Sequence, residues 1–252
     1  MNQTGRDLLF LIIYLAVIAL FLFRIMEAFN DEYSIDEKAL KDSIKANLEQ
    51  QKLQHLVEIK FEFNQKRYEF AKKNTLKQFD VRITNKSGSG DQPQRYAIYV
   101  DWDRCTLTDL ENRARRVIRY SPSETIDIFQ GQTSSPIAAG TFLKEPITAE
   151  DVLTREGERK DNKLPTESPM NLAFEITKPL IDLTPKKPSA SLKQKLKRFK
   201  SRKPDSDLSF SLDLALRVVG PDTPEGGKSY RIPCQFILKK LSWQVGLPWN
   251  PK

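Results

Sequence analysis

The sequence predicts an all-β antiparallel sandwich carried behind one N-terminal transmembrane helix and a helical stalk. Three observations predict it. Residues 8–23, LLFLIIYLAVIALFLF, hold no charge and no helix breaker. From Val57 onward apolar residues recur at every second position, the period of a strand with one buried face. Turn-forming clusters separate these runs, and little helical periodicity follows the first fifty residues.

Taken in order, residues 1–7 form a short tail and residues 8–26 the membrane anchor, with Leu8, Leu11, Ile12, Ile13, Leu15, Ile18, Leu20, Phe21, Leu22 and Phe23 meeting lipid. Sixteen residues rise about 24 Å, short of a hydrocarbon core of about 30 Å. Snorkelling of Arg24 brings Ile25 and Met26 into the span and makes up the difference. A cleaved secretory signal is the alternative, with Arg6 as its charged region, but the cleavage candidate Met26-Glu27-Ala28 lacks two small residues. Arg24, Lys38 and Lys41 follow the span while Arg6 alone precedes it, which places the domain on the cytoplasmic side. A periplasmic domain, held or released by the same segment, is the other topology, and a disulfide between Cys105 and Cys234 would favour it.

Ser34 with Glu37 three residues on gives a capping-box signature, and Leu40, Ile44 and Leu48 a narrow apolar stripe, so residues 34–54 are expected to form the stalk, the stripe being too short for a coiled coil and packing on its own domain instead. The β domain then occupies residues 55–252. Val57, Ile59, Phe61 and Phe63 begin it, followed by Phe79, Val81 and Ile83, then Tyr96, Ile98, Val100 and Trp102. Shorter strands are expected near 116–120, 125–129, 137–142 and 172–176. Residues 208–218 and 230–238 alternate on either side of GPDTPEGGK and predict an antiparallel hairpin. Two polar insertions, 154–169 and 184–206, interrupt the sandwich.

The succession FDVRITNKS, YAIYVDWDRCTLTD and IFQGQTSSPIAAGTF, across residues 79–142, resembles the membrane-anchored immunoglobulin-like domains of uncharacterised bacterial, cyanobacterial-like proteins. In such domains a strand ends in an Asn-x-Ser turn, the next carries an aspartate and tryptophan, and a Pro…Gly loop introduces a later strand. The resemblance implies an immunoglobulin-like sandwich and no particular activity. No Cys pair flanks Trp102 at antibody spacing.

Catalytic chemistry is thinly represented. The one histidine, His55, and two distant cysteines cannot make a usual zinc site without several carboxylates. No G-x-S-x-G, Walker loop, G-x-G-x-x-G or C-x-x-C is present, so no cofactor is expected. The exception is DWDRCTLTD, in which Asp101, Asp103 and Asp109 could ligate a hard cation, or Asp101 and Asp103 serve a hydrolase. Spaced two apart on a strand opposite Trp102, Asp101 and Asp103 would point to the solvated face. Cys105, next to Arg104, could be an activated thiol or a structural one.

The net charge of +8 is local. Residues 183–204 contain nine cations and no acid, and without them the chain is close to neutral. Within SLKQKLKRFKSRK, residues 191–203, Leu192, Leu196 and Phe199 make a thin apolar edge beside Lys193, Lys195, Lys197, Arg198 and Lys200, with Arg202 and Lys203 following. That pattern suits anionic lipid or an acidic protein partner, or a solvated loop. With Phe199 the only aromatic residue available for base stacking, nucleic acid fits poorly. Trp243 and Trp249 near the C terminus either cover the sandwich edge or anchor a partner. The reading is a non-catalytic, membrane-tethered binding or scaffold protein, an accessory factor of a membrane complex.

Overall fold

The computed structural model describes residues 3–28, 32–70, 74–88, 94–120, 131–155, 174–201 and 206–242. Their elements are α1 (Gln3–Ala28), β1 (Glu32–Ile35), α2 (Glu37–Gln50), β2 (Val57–Glu62), β3 (Tyr68–Glu69), β4 (Phe79–Asn85), β5 (Ala97–Val100), β6 (Thr106–Thr108), β7 (Ala114–Arg119), β8 (Ser135–Ile137), β9 (Phe142–Ala149), β10 (Leu153–Arg155), β11 (Phe174–Ile176), α3 (Ala190–Lys200), β12 (Leu208–Val219) and β13 (Lys228–Lys240). The fold is mostly antiparallel β, as the sequence predicts.

Eleven strands form one curled sheet in the order β2-β4-β9-β7-β6-β12-β13-β1-β3, with β5 continuing along β12 and β8 beside β5. Strand β7 is the corner. Its residues 114–116 pair with β6 and its residues 117–119 pair with β9, so one strand serves both arms of the curl. The arms then face each other across an aromatic cluster. Phe61 and Phe79 from one arm stand 5.0 and 5.2 Å from Phe236 of the other, which itself stacks on Phe210 at 4.6 Å. Rings packed in this way add roughly 0.5–1.5 kcal/mol per pair beyond their buried area.

The predicted hairpin is β12–β13, in register from Leu208↔Leu238 to Val218↔Lys228. Its turn needs glycine at Gly227, where φ is +86° and a Cβ would stand 2.6 Å from Val219 Cγ2 and 2.7 Å from the Val218 carbonyl. The stretch 137–142 is not one strand. β8 ends at Ile137, a turn through Gly140 at φ +76° follows, and β9 starts at Phe142. Trp102 likewise lies in a 3₁₀ turn, Trp102–Arg104, just past β5. The expected strand at 125–129 and most of the insertion 154–169 lie outside the described residues.

The stalk is corrected. Ser34 does not cap a helix: Tyr33 and Ile35 point inward from β1, which pairs with β13 and β3, and their burial draws this segment into the sheet. Asp36 caps α2 instead, accepting from the backbone N–H groups of Lys38 and Ala39 at 3.1 Å each. Helix α2 lies on the domain with Leu40, Ile44 and Leu48 buried, each worth about 1.5–3 kcal/mol in transfer from water. It also closes an open edge. Beyond the reach of β1, β13 presents outward carbonyls, and Asn47 Nδ2 donates to that of Pro233 at 2.6 Å and Gln51 Nε2 to that of Arg231 at 2.5 Å. A strand residue's N and C=O point to the same side, so Pro233 lacks its N–H on this edge rather than against β12.

A buried polar node ties the arms near β8. Asn85 Nδ2 donates to the carbonyls of Tyr96 and Ile137 at 2.7 and 3.0 Å, while its Oδ1 accepts from Ser87 N and Oγ at 3.1 and 2.7 Å. The NKS turn is therefore a clamp holding the end of β4, the entry to β5 and the end of β8 together.

Helix α1 contributes nothing to the core. Its side chains are described for residues 8–24, and among these the large apolar ones other than the half-buried Ile18 stand open, from Leu9 at 48% to Phe10 and Leu20 at 66%. Among the described residues no helix is long and apolar enough to cross a membrane; the seventeen residues 8–24 rise only about 26 Å.

Candidate functional site

The strongest concentration of chemistry on the domain is the cationic face of α3. The expected polar insertion 184–206 is corrected here: residues 190–200 are a helix fastened to the domain. Ser189 caps it, its Oγ accepting from Leu192 N at 3.2 Å, and Glu111 Oε1 accepts from Ser189 N at 3.3 Å. Leu192, Leu196 and Phe199 are buried, so the apolar edge that the sequence offered to a bilayer is occupied by the protein's own core. That leaves Lys193, Lys195, Lys197, Arg198 and Lys200 exposed, with Lys186 and Lys187 exposed on the approach. Among the described residues none of these seven reaches a carboxylate. Arg202 and Lys203 lie outside the described residues, as do Trp243 and Trp249.

Three contacts fix where this face sits. Lys240 Nζ, at the end of β13, donates to the Lys200 carbonyl at 2.5 Å. Lys240 is the register partner of Tyr33 in β1, and Leu241 N donates to the Glu32 carbonyl at 3.0 Å. A run of rings continues the link, with Tyr68–Tyr33, Tyr33–Phe70 and Phe70–Phe199 centroids 5.6, 5.9 and 5.7 Å apart. The ammonium groups of Lys200 and Lys240 each lie 5.7 Å from the Phe70 ring, a cation–π arrangement. The C-terminal turn of α3 is therefore docked beside the first strand after α1. Only residues 29–31 separate Ala28 from Glu32, so the end of α1 lies within about 14 Å of β1.

Sequence reasoning found the cations but missed what positions them. Lys240 and Phe70 carry no local signal, since one ends a strand and the other follows a two-residue one. It also missed the latch upstream of α3. Arg115, 11% exposed, holds Asp151 Oδ1 through Nε and Nη2 at 2.8 and 2.5 Å and donates from Nη1 to the Leu180 carbonyl at 2.6 Å. A hollow of about 300 Å³ lies along the helix, lined by Lys195, Arg198, Asn112, Ser206, Asp207 and Ser209.

The alternative carboxylate site does not assemble. Asp101 Oδ2 is 3.3 Å from Arg104 Nε, and Asp103 Oδ1 takes a 2.8 Å hydrogen bond from Arg116, which holds the Asp103 carboxyl below the usual carboxylate range. Asp109 is a structural cap. Burial alone would raise its pKa, but the N–H groups of Arg113 and Glu111 and the Arg113 guanidinium outweigh this and lower it. Among the described residues no group of three or more His, Cys, Asp or Glu is placed to hold a metal ion. Cys105 and Cys234 are buried free thiols. Burial pushes Cys105 up to about 11, opposite to an activated thiol, and pushes Cys234 up as well. His55 is exposed in the turn between α2 and β2.

No family model, no curated protein and no solved structure matches the chain.

Proposed function

We propose that this protein is a non-catalytic binding or scaffold component held in a membrane by α1, its β domain facing the cytoplasm as an accessory factor of a larger membrane assembly. One observation carries this reading: a 26-residue helix whose described side chains, residues 8–24, are almost all apolar and exposed, with none of them belonging to the domain's core. Such a helix is stable either inside a protein core or inside lipid, and the domain's core is complete without it. At about 1.5 Å per residue its full length rises about 39 Å, of which the apolar stretch described, residues 8–24, accounts for about 26 Å. The domain supports a binding role through what it displays, a fixed cationic face, and through aspartates already engaged by Arg104 and Arg116. Its two facing antiparallel arms, with Trp102 fully buried and bonded through Nε1 to Ser135 Oγ at 2.9 Å, are the support for an immunoglobulin-like reading.

Alkaline carbonate washing of membranes carrying the full chain tests the anchor. The chain is expected to stay in the pellet, and Leu15→Arg combined with Ile18→Arg to release it; a wild-type chain found in the supernatant sinks the proposal. Crosslinking and affinity recovery from solubilised membranes would then identify the partner.

A further inference from the structure

Resting on that reading, we infer that the cationic face of α3 docks on the anionic phospholipid headgroups of the same membrane, lying on the surface without inserting. The mode follows from the packing. An amphipathic helix enters the interface through its apolar side, and in α3 that side is Leu192, Leu196 and Phe199, all buried in the domain. Only the charge remains available, so the contact is electrostatic.

The occupant follows from position. The C-terminal turn of α3, which carries Lys197, Arg198 and Lys200, is bonded through Lys240 to the root of β1, three residues beyond α1. With α1 in the bilayer, the anionic surface that is always present at that root is the headgroup layer. The Debye length at physiological salt is about 8 Å, so the face profits only when it comes within about that distance of the headgroups, an approach that a link of at most about 14 Å permits. Tethering by α1 keeps the local lipid concentration high, and a weak contact suffices. An acidic protein segment would match the charge but not the location, and a nucleic acid would lack a stacking surface, because Phe199 is 1% exposed. The hollow at Lys195 and Arg198 is not the determinant, since Asp207 stands on its wall. The face as a whole is.

Docking of this kind sets the pose of the domain. Both the foot and the anchor lie at the β1–β13 end of the sheet, so the β12–β13 turn, whose residues 228–230 pair at the far end of the hairpin, points away from the bilayer.

The test uses the full chain reconstituted in vesicles of phosphatidylcholine alone or mixed with phosphatidylserine. A donor dye is placed on Ser191→Cys, exposed on α3, and an acceptor on the lipid headgroups. Energy transfer is expected to rise severalfold with phosphatidylserine, to fall back in high salt, and to stay flat in a Lys193→Glu/Lys195→Glu/Lys197→Glu variant whose near-ultraviolet circular dichroism is unchanged. Equal transfer in both lipid mixtures, from chain that resists carbonate, overturns the docking and leaves the anchor standing. Release by carbonate overturns both. A reversal variant that loses a crosslink to a membrane protein, with lipid-independent transfer in the wild type, assigns the face to an acidic protein and overturns the inference.

Discussion

Helices α2 and α3 lie on the same domain by the same rule and differ in charge. Each lays an apolar stripe on the β structure, Leu40, Ile44 and Leu48 in one and Leu192, Leu196 and Phe199 in the other. On α2 the outer face is balanced, with Glu37–Lys41 and Lys45–Glu49 pairs at 3.6 and 3.9 Å. On α3 every charged residue is a cation, and Lys193–Lys197, Lys195–Arg198 and Lys197–Lys200 repel at helical spacings. Like charges at such spacings cost about 0.2–0.5 kcal/mol per pair, only partly offset by the helix dipole at the last turn. Packing explains both stripes. It does not explain why one helix keeps a charge pattern that weakens it, and that asymmetry is what points to an external anion.

The comparison requires that α3 is truly docked, and breaking its stripe gives the largest effect. Phe199→Ala should cost about 3–5 kcal/mol and Ile44→Ala about 2–5 kcal/mol. Urea unfolding of the full chain in detergent, followed by near-ultraviolet circular dichroism, reads both. An Ile44→Ala loss with Phe199→Ala near neutral would show α3 loose on the domain and would end the argument from its position.

The two helices also differ in their amino-terminal caps, and acid sharpens that difference. Asp36 caps α2, and the Lys239 ammonium 2.6 Å away, with the Ala39 and Lys38 N–H groups, holds its carboxyl below the usual range. The folded form thus binds this proton less well than the unfolded chain. The resulting stability is complete above the ordinary Asp value of about 3.9 and disappears as pH falls through the lower folded value. Asp36→Asn keeps an acceptor for the cap but removes the Lys239 pair, so stability near neutrality should drop and its decline below about pH 4 should become shallower. At α3 the cap is Ser189, and acid acts only through Glu111, whose carboxyl the Ser189 hydrogen bond holds low. An unchanged acid limb in Asp36→Asn would show that the Lys239 pair does not form.

Much of this contrast was legible from the residues alone, and the part that was not has a common cause. Period-two runs such as Leu208 to Val218 announced the long hairpin because one face of each strand is buried. The stripes on α2 and α3 were visible for the same reason, at helical spacing. What covers a stripe was only partly visible: Leu40 to Leu48 read as a stalk whose stripe packs on its own domain, while Leu192 to Phe199 stayed open between lipid, an acidic partner and a solvated loop, because local periodicity shows that a face is buried but not against what. Short strands such as β3 and β6 carry too few residues for a period, and Ser34 obeyed the burial of Tyr33 and Ile35 over its own capping preference. The site was half legible in this sense. Its cations stood out as a run without acids, whereas Lys240, Phe70 and Tyr33, which place that run beside α1, are distant in sequence and ordinary in type.

The smallest effect is the most direct reading of the charge asymmetry, because it predicts opposite signs for mirror-image changes. Glu37→Lys breaks the pair with Lys41, sets two cations four residues apart and puts positive charge in the first turn of α2. Lys193→Glu creates a Glu–Lys pair with Lys197 in the favourable order and puts negative charge in the first turn of α3. Each change should move stability by about 0.3–1 kcal/mol, the first downward and the second upward, and both should shrink in high salt. If the comparison holds, Lys193→Glu raises the unfolding midpoint while weakening lipid-dependent energy transfer, so stability and binding part company at one residue. A loss of stability in Lys193→Glu would mean that Lys193 is already satisfied within the fold, and the cationic face would then be one more structural surface like that of α2.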